Sequence, residues 1–186
     1  MIKREIEING KTLRISTGQV AKQAAGSVLV SYGETTIIAA VNAAKEMRED
    51  IDFFPLQVEY RERHYAGGKI PGGFFKREAR PAEREILTCR LTDRPIRPLF
   101  PESFKYETQV IITVLSTDGE NPADVLAGVG ASAALMISNI PWNGPIATVR
   151  VARVDDNFIV NPTKEEMEDS SLELVVSGNS ETIVMV

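Results

Sequence analysis

Cysteine is nearly absent: Cys89 stands alone. No disulfide framework and no cysteine-based zinc cluster can therefore be built within the chain, and a reducing cytoplasm is the expected location. Histidine is as scarce. His64, the only one, could act as an acid, a base or a phosphate donor, or serve as a hydrogen-bonded structural residue. Nowhere do eighteen consecutive apolar residues occur, and residues 1–8 mix charge with apolar character, so neither membrane insertion nor secretion is expected. Internal repeats and low-complexity segments are missing too. With 186 residues, 43% hydrophobic and 25% charged, the chain suits one sizeable core, and a single domain over 1–186 is expected.

An excess of positive charge is also lacking overall, since the net charge is −5 and the pI is near 5.1. That balance argues against a protein that coats nucleic acid indiscriminately. Its distribution says more. Residues 61–97 hold ten of the 21 Lys and Arg residues against five acids, leaving eleven basic and 21 acidic residues elsewhere. A +5 segment on a −10 body concentrates positive potential in one region while the remaining surface repels polyanions, which favours a defined groove. The alternative is a solvated charged helix.

Residues 5–8 and 12–16 alternate apolar and polar side chains around Asn9-Gly10, a strong hairpin signal. Residues 27–32 and 35–40 flank Gly33-Glu34 and are rich in Val, Ile and Thr, and 56–60 alternates again; these read as strands. Residues 66–75, AGGKIPGGFF, form a glycine-rich loop. Pro81 is a good first helical residue, with Glu83 and Glu85 at the favoured end of the helix dipole and Ile86, Leu87 and Leu91 as an apolar stripe, so a helix is expected to about Arg94, stopped by Pro95 and Pro98. A buried strand at 109–115 follows. Asn121-Pro122 reads as an N-cap and first helical residue opening a second, almost wholly apolar helix, whose small residues Gly128, Gly130, Ala131, Ala133 and Ala134 allow close packing. Further strands are expected at 146–154, 157–160, 172–176 and 182–186, with 161–171 as a surface excursion. Ending on Ile-Val-Met-Val, the chain reads as one cut from a longer protein.

Residues 72–101 place aromatics and cations side by side. Phe74 and Phe75, at the end of a glycine-rich loop, are hard to bury together, and exposed rings beside cations form a platform for unstacked bases, with Lys76, Arg77 and Arg80 meeting phosphates. The alternative is that both rings pack into the core or a subunit interface. A helical turn beginning near Arg77 would align Arg77, Arg80 and Arg84 on one face, although Pro81 biases Arg80 away from helical dihedrals. Arg90, Arg94 and Arg97 repeat that spacing, and for them pairing with Asp93 or the helix acids stands beside phosphate binding.

The runs FFKREARP and RLTDRPIRPLFP resemble the first RNase PH-like domain of bacterial polynucleotide phosphorylases. The resemblance extends through GETTIIAAV, PLQVEYRERHYAGGKIPGGF and GASAALMISNIPW, nearly the whole chain. It implies an α+β RNase PH-like domain, mixed β-sheets packed against helices around a ribosomal-protein-like βαβ core. It also implies one subunit of a homotrimer that degrades single-stranded RNA from its 3′ end with inorganic phosphate, releasing nucleoside diphosphates in mRNA degradation. A second RNase PH-like domain and KH and OB-fold modules would lie outside this chain. On this resemblance Phe74, Phe75, Lys76, Arg77 and Arg80 are candidate RNA-binding residues; the spacing argument adds Arg84 to them and Arg94 and Arg97 as candidate phosphate contacts. Lys76 stands where arginine is usual, which keeps the charge and loses the planar fork, and Ala79 replaces glycine.

Phosphorolysis needs a phosphate pocket and a divalent cation. The family's catalytic second domain supplies a serine-rich turn and paired aspartates, whereas this chain has Asp118-Gly119-Glu120-Asn121-Pro122-Ala123-Asp124, whose acids would repel phosphate. No catalytic residue and no metal ligand are therefore expected here, magnesium being bound in the second domain, and the chain alone is expected to be nearly inactive. Asp118, Glu120 and Asp124 as a cation site is the weaker reading, because a helix N-terminus accounts for Asp124. Cys89, near Leu87 and Leu91, reads as packing. Two other functions remain open: a stand-alone RNase PH-type phosphorylase trimming tRNA 3′ ends, and a purely structural trimerisation domain.

Overall fold

The computed structural model describes residues 1–48 and 51–186. The chain opens as a hairpin of β1 (Ile2–Ile8) and β2 (Lys11–Thr17), in which Ile8 faces Lys11. Asn9 (φ 49°) and Gly10 (φ 70°) occupy the left-handed region, as a two-residue turn matched to strand twist demands. β3 (Gly26–Tyr32) and β4 (Thr35–Ala43) extend the sheet antiparallel, as expected from the flanks of Gly33. β5 (Leu56–Glu62), helix α1 (Glu83–Ile96) and β6 (Thr108–Ser116) then form a strand–helix–strand unit, with β6 parallel to β5 and antiparallel to β4. The six-stranded order is β1-β2-β3-β4-β6-β5.

One face of this sheet is largely apolar, because Val28, Val30, Tyr32, Ile37, Ala39, Val41, Val110, Ile112 and Val114 alternate along β3, β4 and β6 and are buried. Helix α2 (Asp124–Met136) lies on it, and the other side of α2 meets β7 (Ala147–Val154) of a second sheet of order β10 (Ile183–Met185), β9 (Glu173–Gly178), β7, β8 (Asn157–Val160). Being covered on both sides, α2 must be apolar all round, and Leu126 and Leu135 are each 1% exposed, burial worth about 1.5 to 3 kcal/mol per side chain. The expected small residues set its distance from both sheets. A Cβ at Gly128 would overlap Thr148 of β7, and one at Gly130 would lie 3.0 Å from Ala39 and Ile37 of the first sheet. The architecture is α+β, with a mixed six-stranded sheet and an antiparallel four-stranded sheet packed on helices.

Three local expectations need correction. Helix α1 starts at Glu83 rather than Pro81 and runs through Pro95 to Ile96 before a 3-10 turn at Arg97–Leu99. Proline removes one bond near the helix end, while the Arg97 amide still reaches the Asp93 carbonyl and Ile96 is fully buried. Its inner face is Glu85, Thr88, Thr92, Pro95 and Ile96, whereas Ile86 and Leu87 are half-exposed. Glu85 is drawn inside because its carboxylate accepts from the Glu62 amide (2.9 Å) and the Ala82 amide (2.6 Å), joining β5 to the helix start. Asn121 is not the cap of α2; Ala123 holds that position, and the buried Asn121 side chain accepts from Lys11 Nζ (2.9 Å) and donates to Asp118 (2.6 Å). The 161–171 excursion contains helix α3 (Lys164–Glu168), closed by a reciprocal Thr163–Glu166 capping box. It starts from the buried Asn161, which accepts from the Arg150 amide at 3.0 Å.

Candidate nucleic-acid interface

The loop that follows β5 leaves the sheet through a 3-10 turn (His64–Gly67), reverses at Gly68 (φ 67°) and again at Gly73 (φ 75°), and carries Lys76 in the left-handed region at φ 49°. Phe74 is 94% exposed and Phe75 77%. Neither ring packs into the core of the chain, and the two lie edge to face with centroids 5.4 Å apart. Lys76, Arg77, Arg80, Arg84 and Arg94 are exposed beside or beyond them. Among the described residues Lys76, Arg77, Arg80 and Arg94 form no ion pair, while Arg84 lies 3.4 Å from Glu62. No helical turn begins at Arg77, so Arg77, Arg80 and Arg84 do not share a helix face; the first two project from irregular backbone.

Arg97, a candidate phosphate contact, is committed within the chain. Its guanidinium grips both Asp93 oxygens (2.6 and 3.0 Å) and donates to the Phe54 and Leu56 carbonyls (3.0 and 3.2 Å). Of the pairing and phosphate alternatives, the geometry realises pairing, and Arg97 ties α1 to the entry of β5. Arg94, one turn earlier, remains open.

Behind the loop lies a cleft of about 510 Å³, walled by the end of β5, the 3-10 turn and the segment before α2. Arg63, Lys69, Arg84 and Lys164 contribute cations to its wall. A smaller recess of about 220 Å³ adjoins it, sharing Glu62, Arg63, His64 and Arg84, and reaches Glu78 and Arg80 at the base of the loop. Arg63 and Lys69 flank the 3-10 turn within the basic segment, and only the fold brings Lys164, the first residue of α3, to the same wall.

The acids before α2 are structural. One Asp118 oxygen accepts from the Thr35 hydroxyl (3.0 Å) and the amides of Glu120 (2.9 Å) and Asn121 (2.8 Å), and the other accepts from the Glu34 amide (3.1 Å) and the Asn121 side chain (2.6 Å). Burial works against ionisation of Asp118, but the Asn121 amide and side chain, the Glu120 amide and Thr35 outweigh it and hold the carboxyl well below the usual carboxylate range. A depressed folded value means the stabilisation is present above the unfolded Asp value, near 3.9, and is lost as pH falls below it. Asp118→Asn should therefore be less stable than the parent at neutral pH, with the gap narrowing in urea melts as pH drops below about 4; a gap that stays constant from neutral to acid pH would refute that assignment.

Asp124 pairs at 2.5 Å with the buried Arg150 of β7, which also holds Glu173. With Asp118 saturated and Asp124 neutralised, the three acids do not fit a divalent cation, and among the described residues no group of three or more His, Cys, Asp or Glu could hold one. His64 takes the hydrogen-bonded reading, its Nδ1 2.7 Å from Glu78. That ring, with the His64 amide, keeps the Glu78 carboxyl below its usual range. Cys89 Sγ accepts from the Tyr60 amide at 3.1 Å, and burial pushes its thiol up, away from the reactive thiolate.

The chain matches the 3′ exoribonuclease family, domain 1, over residues 9–141, and domain 2 of the same family over 144–186. It is 56% identical over 184 residues to the polyribonucleotide nucleotidyltransferase of Geotalea uraniireducens, covering 99% of this chain and 26% of that protein. With the enzyme of the same name from Thermus thermophilus the figures are 55% over 182 residues, 98% and 25%. The chain thus spans about a quarter of the length of these curated relatives. Among solved structures, an Archaeoglobus fulgidus exosome with RNA bound to its active site superposes with a TM-score of 0.70 at 21% identity, over 92% of this chain and 74% of that one. An archaeal exosome core gives 0.65 at 21% identity, over 92% and 72%. At that identity the likeness concerns the fold.

Proposed function

The chain belongs to the RNase PH family of 3′ exoribonucleases, and we propose that it guides single-stranded RNA toward a phosphorolytic site in a longer polyribonucleotide nucleotidyltransferase. One observation carries this reading. Two almost fully solvated phenylalanines stand beside Lys76, Arg77 and Arg80, none of them in an ion pair among the described residues. Solvated aromatic rings are a standing hydrophobic cost unless a flat apolar partner covers them, and a nucleobase presents such a face whatever its identity. Cations without internal carboxylate partners are equally ready for phosphates. Together they favour an unpaired strand, whose bases can splay onto the rings, over a duplex, whose bases are already stacked.

In this reading Phe74 and Phe75 stack bases and Lys76, Arg77 and Arg80 meet the backbone. Arg84, tied loosely to Glu62, and Arg94, one helix face away, extend the basic strip along α1. The chemistry is assigned elsewhere. Magnesium would be bound outside this chain, because the acids before α2 are occupied by amides and Arg150, and inorganic phosphate would be bound in the second domain that the resemblance implies. Homotrimeric assembly, a cytoplasmic location and a part in mRNA degradation belong to the same proposal. Among the described residues no helix is long and apolar enough to cross a bilayer, and with a single cysteine the chain cannot form an internal disulfide.

The test is oligo(A) binding at two salt concentrations. Release of counterions from three or four phosphate contacts lowers affinity by about 20- to 50-fold between about 50 mM and about 200 mM salt. A domain that only supports trimer assembly, with its basic segment paired to an acidic neighbour, shows no binding at either concentration.

A further inference from the structure

Glu78 is out of place electrostatically. It sits between Arg77 and Arg80 in the strip that the proposed function aligns with a polyanion, where a carboxylate opposes the attraction its neighbours supply. The geometry accounts for it. The aromatic loop leaves the fold at the 3-10 turn, which is fixed to the sheet by the Thr117 amide donating to the Ala66 carbonyl at 3.0 Å. It returns at Ala82, fixed by Glu85. Between those anchors, every side-chain hydrogen bond or ion pair that links the loop to the rest of the chain, among the described residues, belongs to Glu78. One carboxylate oxygen accepts from the His64 amide (3.0 Å) and the other lies 2.7 Å from His64 Nδ1. The two stems, fourteen residues apart in sequence, are therefore joined by a two-point contact at the neck of the loop.

We infer that Glu78 and His64 form a clasp that positions Phe74 and Phe75 for base stacking, so that both are positioning residues and neither need touch RNA. The inference rests on the proposed role of the loop in RNA binding. Its physical content is that an open glycine-rich loop would spread the two rings over many orientations, and binding would then pay the entropy of collecting them. The contact closes that loop in advance. The carboxylate is used because both of its oxygens can accept at once, one from backbone and one from a ring nitrogen, which fixes direction as well as distance.

The sign of a single measurement separates this from a merely electrostatic role. Removing a negative charge from a basic strip should tighten RNA binding if charge alone matters. A clasp predicts the opposite: Glu78→Ala weakens oligo(A) binding by about two- to fivefold, the factor that corresponds to loss of a solvent-exposed charged pair. The dependence of affinity on salt stays unchanged, since no phosphate contact is lost. His64→Ala should weaken binding to a similar degree, and the double variant no further than either single one, because the two residues act as one unit. Amides of residues 69–80 should exchange with solvent faster in both variants without RNA, while the melting temperature is retained. Tighter or unaltered binding by Glu78→Ala, or loop amides that exchange as in the parent, overturns the clasp. If the parent chain itself fails to bind oligo(A), the RNA-guiding role falls instead, and amide exchange still decides whether the clasp exists.

Discussion

Replacing Phe74 and Phe75 together by alanine should lower oligo(A) affinity by about 2 to 6 kcal/mol while leaving the melting temperature of the chain unchanged. The range is two stacked bases at about 1 to 3 kcal/mol each. The two readouts are separable because the rings are 94% and 77% exposed and contact chiefly one another; surface substitutions of this kind stay within about 0.5 kcal/mol of the parent stability. Affinity should fall equally at low and high salt, since stacking releases no counterions. Each single variant should show part of the loss. A double variant that binds as well as the parent would leave the phosphate contacts as the whole of the interaction, and one that melts several degrees lower would mean the rings are covered in solution.

Arg150→Ala should destabilise the chain by about 3 to 5 kcal/mol, the usual result of stranding one partner of a buried ion pair. For a domain of this size that corresponds to a fall in melting temperature of about 6 to 20 °C. Arg150 lies in β7 with its side chain 11% exposed and holds Asp124, whose side chain is 10% exposed, at 2.5 Å, while also engaging Glu173 of β9. The pair fastens the first turn of α2 to the second sheet. Asp124 also sits where the helix dipole favours an acid, but removal of arginine leaves its charge in a site with little water. Thermal unfolding of Arg150→Ala and Arg150→Ala with Asp124→Ala checks this. The second substitution should recover part of the loss, and a double variant no more stable than the single one would show that packing by the arginine stem, and not the stranded charge, is what was lost.

The strand and helix pattern was largely legible in sequence because its determinants are local. Asn9-Gly10 selects a turn of one handedness, period-2 alternation marks β1, β2 and β5, β-branched content marks β3, β4 and β6, and a helix with no polar side has nowhere to lie but between layers. The aromatic strip was legible for a related reason: two phenylalanines among four glycines have little rigid backbone to fold them inward. Legibility failed where a side chain answers to a distant partner. Asn121 followed by proline has the form of a helix cap, yet it turns to Lys11, 110 positions away, and Glu85 is drawn into the interior by a strand amide 23 residues earlier. Thr163 and Glu166 have the spacing of a capping box, but the surrounding run of acids masks the short helix they open.

Composition and local order by themselves determined the kind of molecule this is: an α+β domain with a buried small-residue helix and one cationic, ring-bearing loop on an acidic body. Those properties follow from residue type and short-range spacing, to which turn chemistry and hydrophobic periodicity respond directly. Only the tertiary structure decided which charges are free. Arg97, Arg150 and Asp118 are each consumed by partners from other elements, whereas Arg77, Arg80 and Arg94, of the same residue types and similar spacing, face solvent. A charge is available for a ligand only when no internal partner meets it, and that depends on which distant segments the fold brings within a few ångströms.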